Sequence, residues 1–112
     1  MEKRKSIEHT GLLVLSLLSR EDMYGYQMIV ELERRSDKTF SMKEGTLYPI
    51  LYRLEDDGLI AAKWSQGHGR TAPKKMYEAT ETGREENRRR QLLWREFQQT
   101  VNTFLTGGNT DE

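Results

Sequence analysis

Residues 45–60 read GTLYPILYRLEDDGLI, and Leu47, Ile50, Leu51 and Leu54 in this run fall on one face of a helix. Gly58 stands where such a helix stops. The next stretches, LIAAKW at 59–64 and KMYEAT at 75–80, have strand composition. Between them lies a loop of about ten residues holding Gly67, Gly69 and Pro73, too long for a tight hairpin turn. A helix delivered into a basic, glycine-bearing hairpin is the order of elements in a winged helix-turn-helix. The expected fold class is therefore mainly α with a small β-hairpin, followed by one long C-terminal helix.

Upstream of this run the chain predicts two further helices. The first runs from about His9 to Ser19 and is nearly all apolar over its middle turns, as expected for an element covered on more than one side. SREDM at 19–23 is read as a turn. YGYQMIVELERR at 24–35 carries the second helix, with Tyr26, Ile29 and Leu32 or Val30 as its inward set and Gly25 as a close-packing position. The third helix has two candidate starts. Ser41 with Glu44 has capping-box spacing and places the start near Met42, which leaves Pro49 inside the helix. Thr46 as the cap would instead put Pro49 in the first turn. The early start is favoured, because the leucine face runs smoothly through Pro49.

Either Thr80 or Thr82 caps the last helix, Thr82 having a second capping-box partner in Glu85. This helix continues to about Leu105 and ends at Gly107 and Gly108. Trp94, Phe97, Val101 and Phe104 recur at alternating spacings of three and four, the seam of a coiled-coil-like contact. With Leu105 they form the expected dimerisation surface. The expected division is a DNA-binding domain over residues 1–80 and a dimerisation helix with a polar tail over residues 81–112.

Composition narrows the class. The 112 residues allow one small domain with an appendage. Hydrophobic residues make up 35% and charged residues 32%, too polar for a membrane-spanning chain and too periodic for a disordered one. The longest apolar run, 12–18, is interrupted by Ser16 and cannot span a bilayer; it also lacks signal-peptide flanks, so a cytoplasmic protein is expected. The absence of cysteine removes disulfides and zinc-thiolate sites. No metal or cofactor is implied. Net charge is zero, yet the charge is segregated: Lys63, Arg70, Lys74 and Lys75 lie in a stretch with His68 and no acid, which gives a neutral protein one positive face.

The candidate DNA contacts are Lys43, Thr46, Tyr48, Pro49 and Arg53 on the third helix and His68, Arg70 and Lys74 in the wing. Tyr48 and Tyr52 have a competing role in completing the core, and Arg53 a competing partner in Asp56 or Asp57. The arginines from Arg84 to Arg95 read as a solvated face paired with Glu81, Glu85, Glu86 and Glu96. An indole at the centre of the last helix's seam has two compatible roles, packing against a partner subunit and, with Phe97, holding a planar aromatic effector. No catalytic group stands out, since neither His9 nor His68 has a serine or carboxylate at a spacing a helix or strand would bring together.

Tyr24, Gly25 and Tyr26, then Gly45, Thr46, Leu47, Tyr48, Pro49, Leu54, Glu55, Gly58 and Ile60, then Trp64, Lys75, Tyr77, Thr80 and Gly83 together resemble the PadR family of transcriptional regulators. Met76 and Ala79 depart from the residues frequent in its second wing strand. The resemblance implies a homodimeric winged-helix repressor of the family's short branch, bound to double-stranded DNA at an inverted-repeat operator and released by a small aromatic or hydrophobic effector. The alternative from another class is a winged-helix protein-interaction module without DNA binding.

Overall fold

The computed structural model describes residues 2–65, 69–70 and 72–107, with side chains from His9 onward. Its element order is α1 (Glu2–Arg20), β1 (Met23–Tyr24), α2 (Gly25–Arg35), α3 (Glu44–Asp56), β2 (Ile60–Trp64), β3 (Lys75–Ala79) and α4 (Glu81–Thr106). The three strands form one antiparallel sheet in the order β1-β3-β2, so a winged helix-turn-helix with a long C-terminal helix is what the chain adopts. In the hairpin Ile60 faces Ala79 and Trp64 faces Lys75.

The leucine face of α3 is where the sequence puts it. Leu47, Ile50, Leu51 and Leu54 are buried together with Val14, Leu15 and Leu18 of α1, Met28 of α2, and Ile60 and Tyr77 of the sheet. The helix ends in a Schellman turn: Leu59 N–H donates to the Leu54 carbonyl at 2.9 Å and Gly58 N–H to that of Glu55 at 3.0 Å. Gly58 takes a φ of 74° there, the left-handed conformation that favours glycine.

Several local expectations are corrected. α1 begins at Glu2 rather than near His9; its first turns are rich in Glu, Lys and Arg, whose helix propensity extends the helix beyond the apolar stripe. α3 begins two residues later than the favoured start, after Lys43, with no side-chain cap from Ser41 or Thr46. Met42 is 5% exposed, so the segment before α3 stays extended to seat that side chain in the core. Pro49 lies inside the helix as the earlier start required. On α2 the buried residues are Gly25, Met28 and Leu32, while Tyr26 and Val30 point outward and Ile29 is half-buried. Gly25 sets that phase: a Cβ there would come within 2.5 Å of the Tyr48 hydroxyl, so α2 can meet α3 closely only along its glycine edge. The expected turn at 19–23 runs into a two-residue strand, with Met23 paired to Tyr77 and Tyr24 to Met76.

Of the two possible caps for α4, the structure uses Thr80. Its hydroxyl accepts from Gly83 N–H at 2.9 Å and donates to the Gly58 carbonyl at 2.8 Å. The start of α4 is thereby tied to the turn that ends α3. Further along, Ser16 of α1 donates to the amide oxygen of Asn87, a buried polar residue of α4, at 3.0 Å. No described helix is long and apolar enough to cross a membrane.

Candidate nucleic-acid interface

On α3 the side chains left over from the core divide into two rows. Lys43, Thr46, Pro49 and Arg53 are exposed along one edge, at the spacing of a helix stripe. Among the described residues Arg53 makes no ion pair, so the expected competition from Asp56 and Asp57 is not realised and its guanidinium is available to a ligand. Tyr48 and Tyr52 form the second row, ring centroids 6.2 Å apart. Tyr48 is half-buried with its hydroxyl over Gly25, whereas Tyr52 is 55% exposed. The core role thus belongs in part to Tyr48 and scarcely to Tyr52.

The hairpin divides its cations by the same physical rule. Lys63 pairs with Glu78 at 3.3 Å and Lys75 with Glu55 at 3.8 Å. Arg70 and Lys74 are exposed and make no ion pair among the described residues, so they keep their charge for an external anion. Lys74 is held in place by the end of the ladder: its N–H donates to Ser65 Oγ at 3.0 Å and its carbonyl accepts from Ser65 N–H at 2.7 Å. Its ammonium stands 5.5 Å from the centre of the Tyr24 ring. His68, the third expected wing contact, lies outside the described residues.

Sequence reasoning missed how many aromatic side chains converge beside this face. Tyr24 and Tyr26 from the start of α2, Tyr48 and Tyr52 from α3, and Trp64 and Tyr77 from the hairpin line one cleft with Lys74 and Lys75. No signal in the sequence reveals it, because the register that sets Trp64 opposite Lys75 across the hairpin exists only in the folded sheet.

The second expected site lies along α4. Trp94 meets His9 of α1 edge-on, ring centroids 5.4 Å apart, and lies 6.0 Å from Phe97. These residues line a shallow recess of about 280 Å³ with Leu12 and Leu93, and on the other side of Trp94 a groove of about 610 Å³ runs between α1 and α4 past Leu13, Ser16 and Asn87. His9, Leu12 and Leu13 are contributions from α1 that the periodicity of α4 alone does not reveal. Phe97, Phe104 and Leu105 are 54%, 80% and 77% exposed and Val101 is half-buried; the last three lie outside both recesses. Of the arginine-rich half of α4, Glu86 holds both Arg89 and Arg90, at 2.6 and 2.7 Å. Arg89 foremost, with Arg90, draws the Glu86 carboxyl down to about 2. Glu81, Glu85 and Glu96 make no such pair among the described residues.

A helix with an exposed edge, a hairpin with two exposed cations that make no ion pair among the described residues and a long capped C-terminal helix form a recognisable set, and residues 14–89 match the family described as Transcriptional regulator PadR-like family. The chain belongs to the PadR-like family. Its members are transcriptional regulators rather than enzymes. A relative in Lysinibacillus sphaericus, described only as an uncharacterized protein, is 30% identical over 102 residues, 88% of this chain and 90% of its own. The crystal structure of a PadR family transcriptional regulator from Eggerthella lenta superposes with a TM-score of 0.76 at 32% identity, covering 98% of this chain and 91% of that one. Bacillus subtilis PadR, solved in complex with operator DNA, superposes with a TM-score of 0.63 at 28% identity, covering 70% of this chain and 44% of that one.

Proposed function

We propose that this protein is a homodimeric repressor, acting in the cytoplasm, that binds double-stranded operator DNA through α3 and the wing and is released by a small planar aromatic effector. Residues 1–80 supply the DNA-binding unit and residues 81–112 the dimerisation helix. The observation that carries the reading is the joint exposure of the Lys43–Arg53 edge of α3 and of Arg70 and Lys74, the two wing cations that make no ion pair among the described residues. The operator complex of Bacillus subtilis PadR supports it. Lys43 and the Thr46 hydroxyl are suited to phosphates or base edges, while Arg70 and Lys74 are suited to the backbone. The exposed Phe97, Phe104 and Leu105 supply the reason to dimerise, each worth about 1.5–3 kcal/mol when fully covered. Trp94, with Phe97 beside it, supplies the flat surface for an effector.

Selection of bound duplexes from a random library tests this directly, with an inverted repeat of half-site centres about 34 Å apart expected. On the selected duplex, Arg70→Ala with Lys74→Ala should weaken binding of all sequences and flatten the salt dependence by about one unit per lost phosphate contact. Thr46→Ala should instead alter sequence preference. Unchanged affinity and salt slope in the double variant would remove the wing from the interface.

A further inference from the structure

All five tyrosines of the chain, with Trp64, line the one cleft of about 560 Å³ between the start of α2, the flank of α3 and the hairpin. Three of the rings are open to solvent, Tyr26 at 70%, Tyr52 at 55% and Trp64 at 68%. Two ammonium groups stand among them: Lys74 lies 5.5 Å from the Tyr24 ring and Lys75 lies 5.3 Å from the Tyr77 ring. No carboxylate lines the cleft among the described residues, although Glu55 reaches Lys75 from outside it.

The chemistry of this lining selects its ligand. Aromatic surfaces of this kind attract organic cations, but two lysines already occupy the cationic position and repel a third charge of the same sign. An intact duplex offers phosphates to the lysines and hydroxyls, yet it keeps its base faces stacked inside and has no flat surface to lay on exposed rings. An unpaired nucleotide offers both, a π-face for stacking and a phosphate one sugar away. The cleft has the volume of a small-ligand site. We infer that this cleft holds an unpaired nucleotide and that the protein binds single-stranded DNA through it. This second mode goes beyond duplex recognition and uses Tyr26, Tyr52 and Trp64 rather than the Lys43–Arg53 edge of α3.

The test uses the full chain carrying Trp94→Phe, in which Trp64 is the remaining indole. Titration with an oligothymidylate of about eight nucleotides should quench Trp64 saturably, with a log–log salt slope of about −0.7 for the one phosphate met by Lys74, since Glu55 holds Lys75. Adding Tyr52→Ala should weaken binding at least about five-fold, whereas Tyr52→Phe, which keeps the ring, should stay within about two-fold. Absence of quenching, quenching indifferent to Tyr52→Ala, or equal loss in Tyr52→Ala and Tyr52→Phe would overturn the inference. Quenching by a duplex of the same length with the same sensitivity to Tyr52→Ala would assign the rings to duplex binding and overturn it as well. Tighter binding of oligouridylate would overturn the assignment to DNA. Arg70→Ala, outside the cleft, separates the two modes, because it should lower duplex affinity and leave oligothymidylate affinity unchanged.

Discussion

Replacing Gly83 with alanine should strike the tightest glycine contact among the described residues. The first turn of α4 rests on the backbone at Leu59, and a methyl group at position 83 would overlap the Leu59 carbonyl oxygen and lie 2.8 Å from its carbonyl carbon. Carbon atoms pack at about 3.5–4.0 Å, so the two segments must separate by at least about 0.7 Å. Neither side can yield cheaply, since both are backbone. The same Leu59 carbonyl accepts from Thr80 N–H at 3.0 Å and from the Thr80 hydroxyl at 3.1 Å, and separation loosens both bonds. Overpacking costs about 1–3 kcal/mol and a lost cap about 1 kcal/mol, together about 2–4 kcal/mol. With an unfolding entropy of roughly 2.1 cal/mol/K per residue, the Tm should fall by about 8–17 °C. Far-UV circular dichroism melts at matched protein concentration measure this directly. Gly45→Ala is the control: its Cβ would meet nothing within 4 Å, and alanine in a helix is better than glycine by about 1 kcal/mol, so its Tm should rise. A Gly83→Ala melt within about 3 °C of the parent would refute the reasoning.

Acid should destabilise the fold through Glu86, whose carboxyl is held at about 2 against an ordinary 4.5 by Arg89 and Arg90. A depressed carboxylate contributes above its unfolded value and loses that contribution as pH falls from 4.5 toward 2. After solvent screening the share is about 1 kcal/mol, so Glu86→Gln should be less stable near neutrality and flatter with acid in urea unfolding, and an unaltered pH profile would contradict the pairing. Glu31, likewise held at about 2 by Arg34 and then Arg35, should preserve part of the acid slope in that variant. Phe104→Ser with Leu105→Ser should lower the association constant in sedimentation while leaving the circular dichroism spectrum unchanged, and undiminished association would place the interface elsewhere. Planar dyes should quench the parent and lose most of that quenching in Trp94→Phe; quenching that persists would reduce Trp94 to packing.

The parts of the fold legible in the sequence are those whose signals are local. The Leu47–Leu54 face, the Gly58 stop and the two hairpin strands each depend on neighbours within a few residues, whereas the choice of Thr80 over Thr82 as the cap rests on the Gly58 and Leu59 carbonyls more than twenty positions away. The phase of α2 was not legible, because it follows from Gly25 meeting Tyr48 across 23 positions, and contact at that distance leaves no mark on the periodicity of either helix. β1 escaped for the same reason, being two residues made into a strand by Tyr77 and Met76. The wing cations were foreseen as a group, but the ion pairs that neutralise Lys63 and Lys75 emerge only once Glu78 and Glu55 are placed in space. The aromatic cleft draws on three separate segments, and neither composition nor spacing announces it.

A single residue, Thr80, separates the end of β3 from the start of α4. There is no slack in that joint, since the threonine is bonded on both sides and Gly83 is seated on the backbone at Leu59, just before β2. α4 therefore acts as a stiff arm about 39 Å long, from 26 residues at 1.5 Å each, welded at one end to the strand that carries the wing. Rotating such an arm by about 5° sweeps its far end through about 3 Å. In the proposed dimer the lever would run the other way: a repacking of a few ångströms among Val101, Phe104 and Leu105 would turn each wing through a few degrees, and the pair of arms would act as a gear that sets the span between two reading heads.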